Sequence, residues 1–221
     1  MKLVSYEDVR RDPEVLAYIE QGDRSLGVMG FTEHALPHGT ITANTAAKIL
    51  NSLGYDERQV ELGRITGFLH DIGNMINRSD HAQSGAIIAM RILQRMGMEP
   101  TEIAAIVSAI GNHDEATAVP VHSIAAAVIL ADKSDVRRSR VRNTKPETFD
   151  IHDRVNHAAV RNEVVINMEE RCCTLCIDID TEVSQIFEFF EIFLTRMLLC
   201  RKAADSLGLN FGLEINGSKL I

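Results

Sequence analysis

Along the first 140 positions apolar residues recur at three- and four-residue intervals, in runs opened by Pro, Ser or Asp and closed by Gly, which predicts a series of short amphipathic helices. Ser5 to Gly22 reads as the first, with Asp12-Pro13 as a break or second start and a Gly-rich bend through Gly30 after it, a segment expected to lie on the core as a lid. Ile41, Thr45, Ala46, Ile49 and Leu50 share one face of a helix that His38 opens and Gly54 closes. Val60, Ile65, Phe68, Leu69 and Ile72 follow a candidate N-cap at Asp56 and predict a buried helix ending near Gly73, with His70 and Asp71 in its last turns. Ser79 or Asp80 caps the next, which turns Ala82, Ala86, Ala89, Leu93 and Met96 inward and stops at Gly97. Pro100 starts another, with Ile103, Ile106, Val107 and Ile110 inward before Gly111, and Ser123 caps one that carries Ile124, Val128 and Ala131 toward Asp132.

Near residue 150 the pattern changes. A short helix to Val160 is followed by strand-like stretches, Glu163 to Met168 and Cys172 to Ile179, around the polar turn Glu169-Glu170-Arg171, which predicts a hairpin. Asp180 or Thr181 caps a long helix expected to turn Val183, Ile186, Phe187, Phe190, Leu194, Met197 and Leu198 inward, and Phe211 to Ile215 reads as a final strand. The predicted fold class is mainly α: a helical domain with its N-terminal helix over residues 1–160, and a small α+β module of hairpin, long helix and final strand over 161–221. The module has no cluster of histidines or acids, so it is expected to offer an interface, for a homodimer or another partner, and to take no part in chemistry.

Composition narrows the class. With 45% hydrophobic and 24% charged residues the chain is an ordinary globular one, long enough for one good core. A formal net charge of -8 provides no general field for a nucleic acid polymer or an anionic membrane, so a phosphorylated partner is expected to be small and met by a local cluster of cations. No apolar run reaches the roughly 18 to 20 residues of a membrane span, and residues 1–30 are too charged for a secretory signal, so the expected location is cytoplasmic. Cys173 and Cys176 form a Cys-x-x-Cys, but with no second pair and no nearby His; with Cys172 and Cys200 they read as reduced structural thiols.

Candidate chemistry gathers at the helix ends. A carboxylate buried beside an imidazole, as at His70-Asp71, requires several hydrogen bonds or a cation; a satisfied core pair is one reading and a metal the other. The metal gains weight because five helices each bring His or Asp from one end: His38, His70-Asp71, His81, His113 and Asp132. Gly85 shares a face with His81, where the missing side chain is expected to leave room for a metal centre. Asp132 ends an apolar helix, an odd place for an unpaired carboxylate. Beyond it, Lys133, Arg137, Arg138, Arg140 and Arg142 form the clearest basic cluster.

The order His, His-Asp, His, His, Asp resembles that of the HD-domain superfamily of metal-dependent phosphohydrolases. His70-Asp71-Ile72-Gly73 matches its HDIG signature, and the runs His81 to Gly85 and Ala131 to Asp135 are similar to its second-metal and final-Asp segments, so the likeness covers about Thr32 to Arg142. The resemblance implies an HD-domain helical bundle, a first metal on His38, His70, Asp71 and Asp132, and a second on His81 and His113 with Asp71 bridging, the pair acting on a small phosphoester, a nucleotide among the candidates, through a bridging hydroxide. Such a donor set suits Fe, Mn, Zn, Co or Ni better than Mg or Ca. Lys133 and Arg137, with Asp71, complete the expected catalytic set, the two cations gripping a phosphate. Asn74 stands where many relatives carry Lys, and the paired histidines and Gly-Tyr-Pro of the HD-GYP branch are missing at Asn112-His113 and Ala118-Val119-Pro120. Two alternatives are a di-iron oxygenase of the same superfamily and a non-catalytic regulatory module that retains the ligands.

Overall fold

The computed structural model describes residues 3–221; Met1 and Lys2, with which the expected helical domain begins, lie outside the described residues. Two helices, not one, open the chain: α1 (Tyr6–Arg10), closed in a capping box by Ser5 and Asp8, and α2 (Pro13–Val28), whose first amides are taken up by the Asp12 carboxylate. Asp12-Pro13 is therefore a true restart, and α2 runs six residues past Gly22, which lies against the backbone of Asn74 and Met75. Arg95 fixes α2 by ion pairs to Asp12 at 2.8 Å and Glu14 at 3.0 Å.

The bundle proper is α3 (Leu36–Ser52), α4 (Glu57–Leu69), α5 (His81–Arg95), α6 (Pro100–Gly111) and α7 (Ser123–Lys133). Every residue of α7 from Ile124 to Lys133 is buried, as expected of a helix that is apolar all round and has neighbours on every side. Its cap is His122, whose ring accepts from the Ala125 amide, and Ser123 is the first helical residue. Helices α3 and α4 pack through small residues: a Cβ on Gly67 would stand 2.9 Å from the Ala43 backbone, and one on Gly39 would stand 3.1 Å from the Phe68 carbonyl. That crossing brings the start of α3 to the end of α4.

Helix α4 ends at Leu69, so His70 is its C-terminal cap and Asp71 lies outside it, before a 3-10 turn over Ile72–Met75. The turn packs on the first turn of α5. Gly73 has no space for a side chain, because a Cβ there would run into the His81 carbonyl and come within 2.5 Å of the Gly85 amide nitrogen. Gly85 is likewise filled by the Gly73 backbone, 3.1 Å from where its Cβ would be. The space expected there for a metal centre is thus taken by a backbone-to-backbone contact.

After α8 (Ile151–Ala158), β1 (Ala159–Asn167) and β2 (Cys172–Ile179) form the expected antiparallel hairpin. Helix α9 (Ile186–Ser206) then crosses over to β3 (Asn210–Ile215), parallel to β2, and a short β4 (Ser218–Lys219) completes a sheet ordered β1-β2-β3-β4, one strand more than predicted. The inner face of α9 is the expected one only in part: Met197 is buried and Val183, Ile186 and Phe190 pack against the core, but Phe187, Leu194 and Leu198 are exposed while Phe189, Phe193, Cys200 and Ala203 are buried. The helix carries two apolar stripes and starts at Ile186 rather than near Asp180, so spacing alone placed only part of its inner face. Helix α9 lies on α7, Lys48 donates to the Val164 carbonyl at 2.8 Å, and one continuous apolar core runs through both parts. The change near residue 160 is one of secondary structure, with no break in the core. No helix among the described residues is long and apolar enough to cross a membrane.

The Gly73–Gly85 contact generates a prediction. Gly73→Ala should lower stability by about 1–3 kcal/mol or more, as overpacking against rigid backbone does, and should impair metal uptake. Gly111→Ala, whose new Cβ would meet Ala86 at an ordinary 3.8 Å, is the control and should unfold at nearly the parental denaturant midpoint.

Candidate metal centre

Six side chains from five segments converge at one end of the bundle. His38 comes from the first turn of α3, His70 and Asp71 from the end of α4, His81 from the first residue of α5, His113 from just beyond α6 and Asp132 from the last turn of α7. All four imidazoles are buried. Their Nε2 atoms face each other in pairs, 3.2 Å from His38 to His70 and 3.2 Å from His81 to His113.

Their Nδ1 atoms point away, to the Asp135 carboxylate at 2.7 Å (His38), the Gly67 carbonyl at 2.7 Å (His70), the Arg78 carbonyl at 3.0 Å (His81) and the Ile110 carbonyl at 2.6 Å (His113). These oxygens only accept, so each Nδ1 carries a proton and each Nε2 points inward, as a lone pair on a neutral ring and as a second donor on His70 while that ring is protonated. Gly67 and Ile110 offer carbonyls that a helix end leaves free, so the ring orientation follows from where each helix stops. Lone pairs facing at 3.2 Å cannot bond to one another without a proton or a metal cation between them, and the donor set fits a divalent transition metal.

The carboxylates divide this nest in two. Asp71 Oδ2 is 3.6 Å from His38 Nε2 and 3.4 Å from His70 Nε2, while its Oδ1 is 3.2 Å from His81 Nε2 and 3.7 Å from His113 Nε2. Asp132 Oδ1 joins the first pair, 3.3 Å from His38 and 3.6 Å from His70. The groups His38–His70–Asp71, His70–His113–Asp132 and Asp71–His81–His113 each have the proximity to hold a metal ion.

The protein groups by themselves are strongly perturbed. Burial opposes charge on Asp71 and Asp132, yet His70, and for Asp132 first Lys133, hold both carboxyls well below their usual range. Burial alone would depress His70, but Asp71 and Asp132 outweigh it and raise it to about 10, while burial pushes His113 down to about 4. Asp135, also buried, is held at about 2 by its hydrogen bond to His38 and the charges of His38, Arg140 and Arg137.

The expected basic pair separates. Lys133 is buried with Nζ 2.6 Å from Asp132 Oδ2 and 3.8 Å from Glu115. Arg137 does not have the free guanidinium that gripping a phosphate requires: its Nε donates to Asp135 at 2.9 Å, one terminal nitrogen to Glu33 at 2.6 Å and the other to Ser139 at 2.6 Å. It steadies the carboxylate behind His38. The cation that joins Lys133 beside the cluster is Arg78, 3.7 Å from Asp71 Oδ1 and 3.4 Å from Asn74 Oδ1. Charge lost by having Asn at position 74 returns one turn later. Arg78 and Asp135 were not singled out from sequence; the signals were a cation three residues before His81, and a second acid three residues after Asp132. His122 caps α7 and the His157 ring packs against Phe149, and burial pushes the Cys173 thiol up to about 12, consistent with a structural role.

Comparison with known proteins agrees with this geometry. The family model described as HD domain matches residues 38–152, which is more than half of the chain and runs from the first to beyond the last of the six residues. The chain belongs to the HD-domain family of metal-dependent phosphohydrolases. It is also similar to an uncharacterized protein of Methanocaldococcus jannaschii, MJ1020, at 25% identity over 215 residues, covering 85% of this chain and 80% of that protein.

The pKa pattern predicts how metal and proton compete. His70 is raised from 6.5 to about 10, so its contribution to stability is complete below pH 6.5 and is lost as pH rises through 10. The melting temperature of chelator-treated protein should therefore fall between pH 7 and 10, and that of metal-loaded protein should stay flatter. Loading at pH 7 should release about one proton from His70, read by calorimetry in two buffers of different ionisation enthalpy. Release of no proton, with parallel melting profiles, would contradict the arrangement.

Proposed function

We propose that the protein is a metal-dependent phosphohydrolase that cleaves a small phosphoester with two divalent transition metal ions. His38, His70, Asp71 and Asp132 would hold one, and His81 and His113, with the other oxygen of Asp71, the second. The observation that carries this reading is the division of the Asp71 oxygens between two imidazole pairs. Bound there, the metals supply Lewis acidity and lower the pKa of water at neutral pH.

The rest of the chemistry falls to the chain. Hydrolysis builds negative charge on the non-bridging phosphoryl oxygens, so cations fixed in advance beside the cluster stabilise the transition state more than the ground state. Lys133, sealed from water, and Arg78, supported by Asn74, occupy that position. Asp135 and Arg137 keep the His38 ring from turning. An oxidative reaction makes no such use of paired cations, and they favour hydrolysis over oxygenation.

Two measurements test the reading. Metal per chain should be about two, falling to about one in the His81→Ala/His113→Ala double variant and likewise to about one in His70→Ala; unchanged content in the double variant would make the site mononuclear. Apo-protein reconstituted with Mn without oxygen should release phosphate from a phosphoester panel, and Arg78→Met and Lys133→Met should each reduce kcat/KM by about 10²-fold, as for the loss of a well-placed donor. Turnover confined to iron with O2, and indifferent to both substitutions, would replace hydrolysis by oxidation.

A further inference from the structure

A cavity of about 250 Å³ lies beside the cluster, and its walls come from both parts of the chain. Two bridges connect it to the metal ligands. On one side His34 and Arg78 line it: the His34 ring is 5.5 Å from that of His38, and Arg78 is 3.5 Å from His81 Nε2. On the other, Arg196 of α9 lines it and pairs with Glu115 at 2.5 Å, which is next to Lys133 and thereby to Asp132. The module that sequence analysis set apart from the chemistry thus reaches the site.

The lining has a definite chemistry. Two aromatic rings face the cavity, each with a guanidinium over it: Arg78 over Phe31 at 5.7 Å and Arg196 over Phe193 at 4.6 Å. Planar guanidinium groups and phenyl faces both stack on flat rings, and the guanidinium edge also donates to ring acceptors. Acceptors for a ligand's own donors come from Asp150 and Asp153, and from Asn156, whose Nδ2 is used on the His152 carbonyl, leaving its amide oxygen to accept. The volume is just below the usual range of roughly 300–1,000 Å³ for small-molecule pockets, which suits one small ring-bearing group and excludes a polymer.

We propose that this cavity receives the non-phosphate part of the substrate, a flat heteroaromatic group with hydrogen-bond donors and acceptors, and that Arg196 of α9, backed by the buried Phe193 ring beneath it, selects it together with Phe31. The proposal rests on the phosphohydrolase reading for its phosphate end only. Arg196 is a specificity residue: it touches the leaving group and not the reacting phosphorus.

The test measures binding with ligands that cannot be hydrolysed. Metal-loaded full-length protein is titrated calorimetrically with a C–P-bonded phosphonate analogue of adenosine monophosphate and with methylphosphonate, which has no ring. The wild type should prefer the ring-bearing phosphonate by about tenfold or more, the scale of one or two stacking contacts. In Arg196→Met, and in Phe31→Leu at a surface position that tolerates change, that preference should shrink to about twofold while metal content is retained. Equal affinities in the wild type, or a full preference kept in Phe31→Leu and in every Arg196 variant that retains metal, would overturn the proposal. Binding with preference but without phosphate release from any phosphoester would instead overturn the hydrolase reading and leave the cavity's assignment standing.

Discussion

Four imidazole Nε2 atoms directed at one another are the constraint around which the protein is built. Neutral rings at Nε2 separations of 3.2 Å repel unless a positive charge lies between them, and nothing in the local sequence alone would keep them there. They are kept there from behind. Three rings are held by backbone carbonyls and one by a carboxylate that is itself held by arginines, so the electrostatic strain of the cluster is borne by helix ends and a buried ion-pair chain. Folding alone leaves the charge of Asp71 balanced first by a proton on His70, and that of Asp132 first by Lys133 and then by the same proton, which a metal ion would displace.

The helical framework was legible because each helix announces its ends. Pro100 and Gly111 bound α6 where the sequence puts them, and Asp56 caps α4 by accepting from the Gln59 amide. The six ligand candidates were legible for a related reason: an imidazole or carboxylate at the end of an apolar run is costly to bury, so its position is a chemical statement. What was not legible depends on which neighbour fills a space. Gly85 could make room for a metal or for backbone, and only tertiary packing decided for the Gly73 backbone. The two apolar stripes of α9 are equivalent by period, and packing against α7 selected the one containing Phe189 and Phe193.

Charges show the same limit more sharply. Lys133 and Arg137 are one turn apart and look interchangeable in sequence, but one is locked beside Asp132 and the other has every guanidinium nitrogen committed behind His38. A guanidinium's partners come from distant segments, Glu33 in this case, and spacing along a helix carries no information about them. Arg78 is the converse: unremarkable by motif, yet adjacent to Asp71 because the Gly73–Gly85 contact pulls the loop that carries it against the cluster.

The parallel pairing of β2 with β3, Cys172 opposite Asn210 through Ile177 opposite Ile215, clamps α9 at both of its ends. A strand advances about 3.3 Å per residue, so a slip of one position would carry the helix end by roughly the length of a hydrogen bond and reverse which strand face meets the core. Arg196, midway along that clamped helix, has its reach to Glu115 set by this register. The sheet, which lines no part of the cavity, thus acts as a gauge for it at second hand, through the position its register gives the helix that carries Phe193 and Arg196.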